Sequence, residues 1–247
     1  MPFTFSHPAI VLPFIPLPHR WRSATGLIVG SMAPDFEKFL RMSLHDPYSH
    51  TWPGIFYFNL PMGLLLCFVF HLVVRDTLID HLPRFLRQRF NRYKRFNWKL
   101  HFKRQYGVVL LSLLVGIVSH LAWDSFTHSD GLGVRLFPFL LNEVLPEPFT
   151  RPLYSLLQQV LSALGGYIMV LFIFMLPKEK QEAPPRSILG YWVLWTVLVV
   201  IVVALWFVAG GKQNRYYIFV AAISAGLLSL IILPYLFRIK NTLRLRA

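Results

Sequence analysis

Five stretches of this chain, 55–74, 108–128, 154–176, 188–209 and 216–236, are dominated by apolar residues. A helix needs about 20 such residues to cross the roughly 30 Å hydrocarbon core of a bilayer. No water is present there to hydrogen-bond the backbone, so a spanning segment satisfies its own N–H and C=O groups as a helix. The pattern predicts an all-α, polytopic membrane protein with about five transmembrane helices. Charge content agrees, since 15% of the 247 residues are charged, against roughly 25% in soluble domains.

The first 22 residues contain Pro2, Pro8, Pro13, Pro16 and Pro18 and lack an early basic region. They do not read as a signal peptide. The prolines predict a non-helical segment, either an extended polyproline strand or an interfacial loop. Residues 24–41 read as a helix interrupted at Pro34 and too short to span. Gly26, Gly30 and Ala33 allow it to pack closely against another helix. The single cysteine, Cys67, excludes a disulfide framework or a cysteine-based zinc site within one chain.

The net charge is +14, and ten Lys or Arg fall within 75–107, interleaved with Phe85, Phe90, Tyr93, Phe96, Trp98 and Phe102. Beside a membrane span this pattern predicts contact with anionic phospholipid headgroups through residues 84–104 rather than with nucleic acid. Placing 75–107, 177–187 and 238–247 on the cytoplasmic side puts 17 of the 25 Lys and Arg there. The positive-inside bias then leaves the amino terminus, the 42–54 loop and the 129–153 loop outside. Pro184-Pro185 marks a short loop. The last three spans carry no charge and no histidine, and read as packing and anchorage. The chain thus divides into a functional half, 1–152, and an anchor half, 153–247.

Ionisable residues inside the second run stand out. His120, Asp124 and His128 are spaced four apart, and at about 100° per residue they share one helical stripe. An imidazole and a carboxylate one turn apart can bind one divalent ion. They can equally form a hydrogen-bonded pair that joins two helices. Asp35 follows Pro34 and either caps the next turn or presents a ligand at a rigid break. His71 shares a face with Arg75, as a packed interfacial histidine would.

With these residues in view, the chain resembles a bacterial membrane family known as domain of unknown function 4184. The resemblance rests on Met1-Pro-Phe-Thr-Phe-Ser-His-Pro8, Gly30-Ser-Met-Ala-Pro-Asp-Phe-Glu37, Ser49-His50, Leu60-Pro61 with Phe70-His71, and Ser119-His120 with Trp123-Asp-Ser-Phe-Thr-His128. More remotely the chain is similar to membrane-bound metal-dependent hydrolases and to the zinc-dependent phospholipase C and P1 nuclease fold. That likeness implies His7, Asp35, His50, His120 and Asp124 as metal ligands, with His71 a looser candidate. It implies one or two divalent ions, with zinc best suited to a mixed imidazole and carboxylate set. The family resemblance implies a bacterial cytoplasmic (inner) membrane location, and the distribution of basic residues puts the site toward the extracytoplasmic face.

The function expected from these features is a membrane-bound metal-dependent hydrolase. Its substrate would be a phosphoester of a lipid or lipid-linked molecule, with Asp35 or Glu37 as general base. The rival from another class is a non-enzymatic membrane protein. It would be a small transporter or proton relay titrating His71, His120 and Asp124, or an assembly factor in which His120 and Asp124 are only a buried polar pair.

Overall fold

The computed structural model describes residues 3–179 and 188–244. The Pro184-Pro185 loop and parts of the 177–187 and 238–247 basic stretches lie outside the described residues. Five helices are long and apolar enough to cross a membrane: Ile55–His81, Trp98–Ser125, Leu153–Met175, Ile188–Val208 and Arg215–Phe237. They are referred to below as the first to fifth spans. The only strands among the described residues are the two-residue pair Glu143–Val144 and Arg151–Pro152, antiparallel. The chain is therefore an all-α helical membrane protein.

The first two spans outrun their apolar stretches. The first continues through Arg75, Asp76 and Asp80 to His81, because charged residues leave the hydrocarbon without breaking a helix. It contains π-helical turns at Ile55–Asn59 and Phe70–Val74. The second begins at Trp98, inside the basic and aromatic region. Its kink at Gln105, with φ −136° and ψ 33°, lies just before the apolar run.

The chain forms two compact units, each assembled from three stretches. The first comprises Met1–Asp35, Pro47–Leu64 and Phe102–Met175. Here the short helix Ala24–Gly30 lies directly on the second span. Ser23 caps it, and the Ser23 N–H donates to Ser112 Oγ at 2.8 Å. A Cβ added at Gly30 would lie 2.4 Å from Leu113 O, and one at Gly116 2.5 Å from Leu27 O. Only glycines permit that spacing. Below the crossing, buried Ala33, Ile55 and Ile117 pack with Leu60, Leu114 and Leu121.

The amino-terminal segment differs from the expectation of an extended or looped piece. Thr4–Phe14 is a 3-10 helix with Pro8 and Pro13 inside it. A proline φ near −65° suits the 3-10 backbone as well as it suits polyproline. The segment is held by the third span, where the Phe3 N–H donates to Ser162 Oγ at 3.1 Å. A Cβ at Gly165 would come within 2.9 Å of Ser6 O. The third span therefore does more than anchor, since it seats the segment that carries His7.

The second unit comprises Phe36–Asp46, Leu65–His101 and Leu176–Ala247. The fourth and fifth spans pair through Trp195, whose Nε1–H donates to Gly226 O at 3.1 Å. Trp192 Nε1–H donates to His81 O at 2.8 Å, and the His81 ring stacks on Tyr191 at 4.4 Å. In the basic region Arg87 and Arg89 are buried, donating to the carbonyls of Asp80 and Phe85. Arg84, Arg92, Arg95 and Lys99 remain exposed.

Gly30→Ala and Gly116→Ala should each lower stability by about 1–3 kcal/mol, the usual cost of overpacking. A methyl at Gly166 meets nothing within 4 Å. Gly166→Ala should therefore be neutral or stabilising by up to about 1 kcal/mol through helix propensity. Unfolding of the three variants in detergent checks the contrast.

Candidate functional site

The deepest polar cluster of the first unit forms around the carboxylate of Asp124. This residue lies on the last turn of the second span, followed by Ser125, where the helix ends. His7 Nε2 stands 3.2 Å from Asp124 Oδ1, while His50 Nε2 and His120 Nε2 each stand 3.4 Å from Oδ2. Asp35 Oδ2 lies 4.0 Å from His120 Nε2 and accepts a 2.6 Å hydrogen bond from Thr4 Oγ1. His7, Asp35, His120 and Asp124 are buried, and His50 is half-buried. The cluster thus draws on the amino-terminal 3-10 helix, the Ala33–Asp35 turn, the loop before the first span and the second span.

The backbone fixes which ring nitrogen of His120 carries the proton. His120 Nδ1 is 2.8 Å from Ser31 O, and His7 Nδ1 is 3.3 Å from Thr4 O. A carbonyl only accepts, so His120 Nδ1 donates, whereas His7 has an acceptor at each ring nitrogen, Thr4 O and, at 3.2 Å from Nε2, Asp124 Oδ1. In neutral His120 Nε2 is then a lone pair, 3.4 Å from Asp124 Oδ2. Lone pair facing carboxylate is repulsive unless a proton or a cation lies between them. Protonating both rings would place two positive charges face to face, because His7 and His120 stack with centroids 4.0 Å apart. A divalent ion removes both conflicts with one charge centre.

Distances agree with that reading. A tetrahedral ion with bonds of about 2.1 Å holds its ligand atoms about 3.4 Å apart. That is the spacing of His50 and His120 Nε2 from Asp124 Oδ2, longer than a good hydrogen bond. His120 Nε2 and Asp124 Oδ2 are buried, and neither takes a hydrogen bond. Two groups of ligand atoms, from His7, Asp35 and His120 and from His50, His120 and Asp124, each fall within 4.8 Å of one another. These buried His and Asp groups could hold a metal ion.

Other candidates from the sequence are placed elsewhere. Neither ion-holding group includes His71 or Glu37. His71 belongs to the second unit, where its ring stacks on Trp98 at 4.7 Å and its Nδ1 accepts from Arg75 at 3.2 Å. It is a packed histidine. Glu37, also in the second unit, is buried and pairs with Arg41 at 2.9 Å. His128 does not continue the helical stripe, because the chain turns at Phe126 and Thr127 with i→i+3 bonds. Its Nδ1 donates to Asp124 O at 3.1 Å and lies 3.8 Å from Oδ2, at the partly exposed edge. Sequence reasoning missed Thr4, which holds Asp35, and the Ser31 carbonyl, which sets the His120 tautomer. Neither has a pattern of its own.

A family model described as "Domain of unknown function (DUF4184)" matches residues 1–235. No curated protein and no solved structure matches the chain.

Removing the Thr4 hydroxyl takes a 2.6 Å donor away from a buried carboxylate. Thr4→Val should cost about 1–3 kcal/mol, while Thr4→Ser, which keeps the donor, should stay near wild type. Denaturant or thermal unfolding in detergent distinguishes them.

Proposed function

The chain belongs to the DUF4184 family, and from the geometry of its buried cluster we propose that it is a membrane-bound metal-dependent hydrolase. One observation carries the proposal: His120, fixed as the Nδ1–H tautomer, turns its Nε2 lone pair onto Asp124, the carboxylate on which His7 and His50 also converge. His7, His50, His120 and Asp124 would hold the ion, for which zinc suits the nitrogen and oxygen set. When bound, such an ion would supply a nucleophilic water at neutral pH and polarise the bond under attack. Asp35, oriented by Thr4 and set slightly apart, accepts the proton of the attacking water. The half-buried edge at His50 and His128 is the approach for substrate.

A phosphoester of a lipid or lipid-linked molecule fits a site at the end of a membrane span. Water oxygen bonds to phosphorus, the phosphorus–oxygen ester bond breaks, and the released alkoxide takes up a proton. The membrane is the bacterial cytoplasmic membrane, with the site on its outer face. The exposed Arg84, Arg92, Arg95 and Lys99, beside exposed Phe85, Tyr93 and Phe96, engage anionic headgroups. Reporter fusions within 85–100 should then report cytoplasm and fusions within 130–145 the outside. The reverse pattern would move the site to the cytosolic face.

The decisive measurement is metal content and unfolding of detergent-purified protein, with and without chelator. Wild type should co-purify with a divalent ion and lose stability on chelation, since ligand binding to the folded state stabilises by mass action. Asp124→Asn should lower metal affinity at least 10- to 100-fold, about the scale of losing an outer partner of a ligand. It should also abolish turnover of a phosphoester amphiphile. If the cluster only joins helices, each substitution should cost about 0.6 kcal/mol and chelator should change nothing. That result would replace the hydrolase with a non-enzymatic membrane protein.

A further inference from the structure

Residues 126–152 connect the end of the second span to the start of the third, so both ends of this segment meet a span end. It is folded rather than loose. Leu132–Leu136 is a short helix, Pro138–Leu141 is a 3-10 turn, and Glu143–Val144 pairs with Arg151–Pro152. Val134 and Leu140 face inward and are buried. The Gly131 N–H donates to His128 O, and the Leu153 N–H donates to Asn142 O, both at 3.0 Å. One face of the segment is therefore committed to the first unit.

The opposite face is the anomaly. Leu132, Leu136, Phe137, Phe139, Leu141 and Phe149 are each between 47% and 65% exposed. A connection that ran through water would turn polar residues outward once its inward face was buried. This one turns large apolar side chains both ways. Soluble surfaces rarely carry so dense an apolar patch without an interaction to cover it. We propose that residues 126–152 form an interfacial element whose outward apolar face is seated in the lipid leaflet. The occupant follows from position. The segment is pinned between two span ends, so lipid is the apolar phase nearest to it. Arg135, exposed between Leu132 and Leu136, can lay its aliphatic stem along that face and lift its guanidinium to the phosphates. Asp130, Glu143 and Glu147, also exposed, then mark the water side. This seating goes beyond the hydrolase reading and does not depend on it. It brings the leaflet to the turn at His128, next to the less buried edge of the cluster.

The test uses the full chain in phosphatidylcholine vesicles, with Cys67→Ala to remove the buried thiol and single Leu136→Cys, Phe139→Cys or Asp130→Cys substitutions for a fluorescent label. At about 5–10 Å into the headgroup and acyl boundary, labels at positions 136 and 139 should be quenched by spin-labelled lipid. A spin near the headgroup should quench them more than one near the acyl end. Both labels should be shielded from aqueous iodide, whereas the label at position 130 should be quenched by iodide. Iodide quenching of all three alike would overturn the proposal, leaving the patch in water. Shielding of positions 136 and 139 from both quenchers would also overturn it, since a protein surface would then cover the patch. None of these outcomes bears on metal content or turnover, so the two readings fail separately.

Discussion

A carboxylate buried among imidazoles governs this structure. Asp124 takes three ring nitrogens within 3.4 Å, and those nitrogens come from stretches separated by most of the first unit's sequence. Burying an anion is expensive unless it is compensated and its geometry is fixed. The surrounding structure supplies both. Ser31 O and Thr4 O orient two of the rings, and Thr4 Oγ1 holds the neighbouring carboxylate. The glycine contact between the Ala24–Gly30 helix and the second span serves the same end. Without it Ser31 would not reach His120.

What the sequence could tell follows from which effects are local. Hydrocarbon length is local, and each apolar run became a span at nearly its expected position. Span ends were less legible, because helix formation continues past Val74 and begins before Val108 for reasons unrelated to hydropathy. The prolines of the amino terminus restrict φ without choosing between polyproline and 3-10 turns. Only the seat offered by Ser162 and Gly165 on the third span decides that, and those residues lie over 150 positions away.

The site was legible in part for the same reason. A histidine or aspartate within an apolar run is conspicuous, and His120 with Asp124 at i and i+4 needs no tertiary knowledge. His71 was equally conspicuous. What separates it from His120 is the partner of its Nδ1, a guanidinium in one case and a carbonyl in the other. An Arg donor uses the Nδ1 lone pair, whereas a carbonyl forces the proton onto Nδ1 and leaves the lone pair on Nε2. Sequence spacing gives Arg75 as a neighbour of His71, but nothing gives Ser31 as the partner of His120. Glu37 differs again, since Arg41, four residues on, offers it a salt bridge.

The cluster also bears on how the first unit holds together in a bilayer. Between helices in lipid there is no hydrophobic driving force, because hydrocarbon solvates an apolar surface as well as another helix does. Association then rests on close packing and on polar contacts. The first unit has close packing where glycines meet backbone, at Gly30, Gly116 and Gly165. These contacts join elements in pairs, helix to span and 3-10 segment to span. Among the described residues, the Asp124 cluster joins the second span at one point to the 3-10 segment through His7, to the turn after the short helix through Asp35, and to the loop before the first span through His50. Interhelical hydrogen bonds in membranes are individually weak, about 0.6 kcal/mol on average, so a set of imidazoles and carboxylates alone would fasten this junction loosely. A divalent ion bound by several of them at once would fasten it strongly, and site and fold would then be coupled, as they are in small metal-dependent domains.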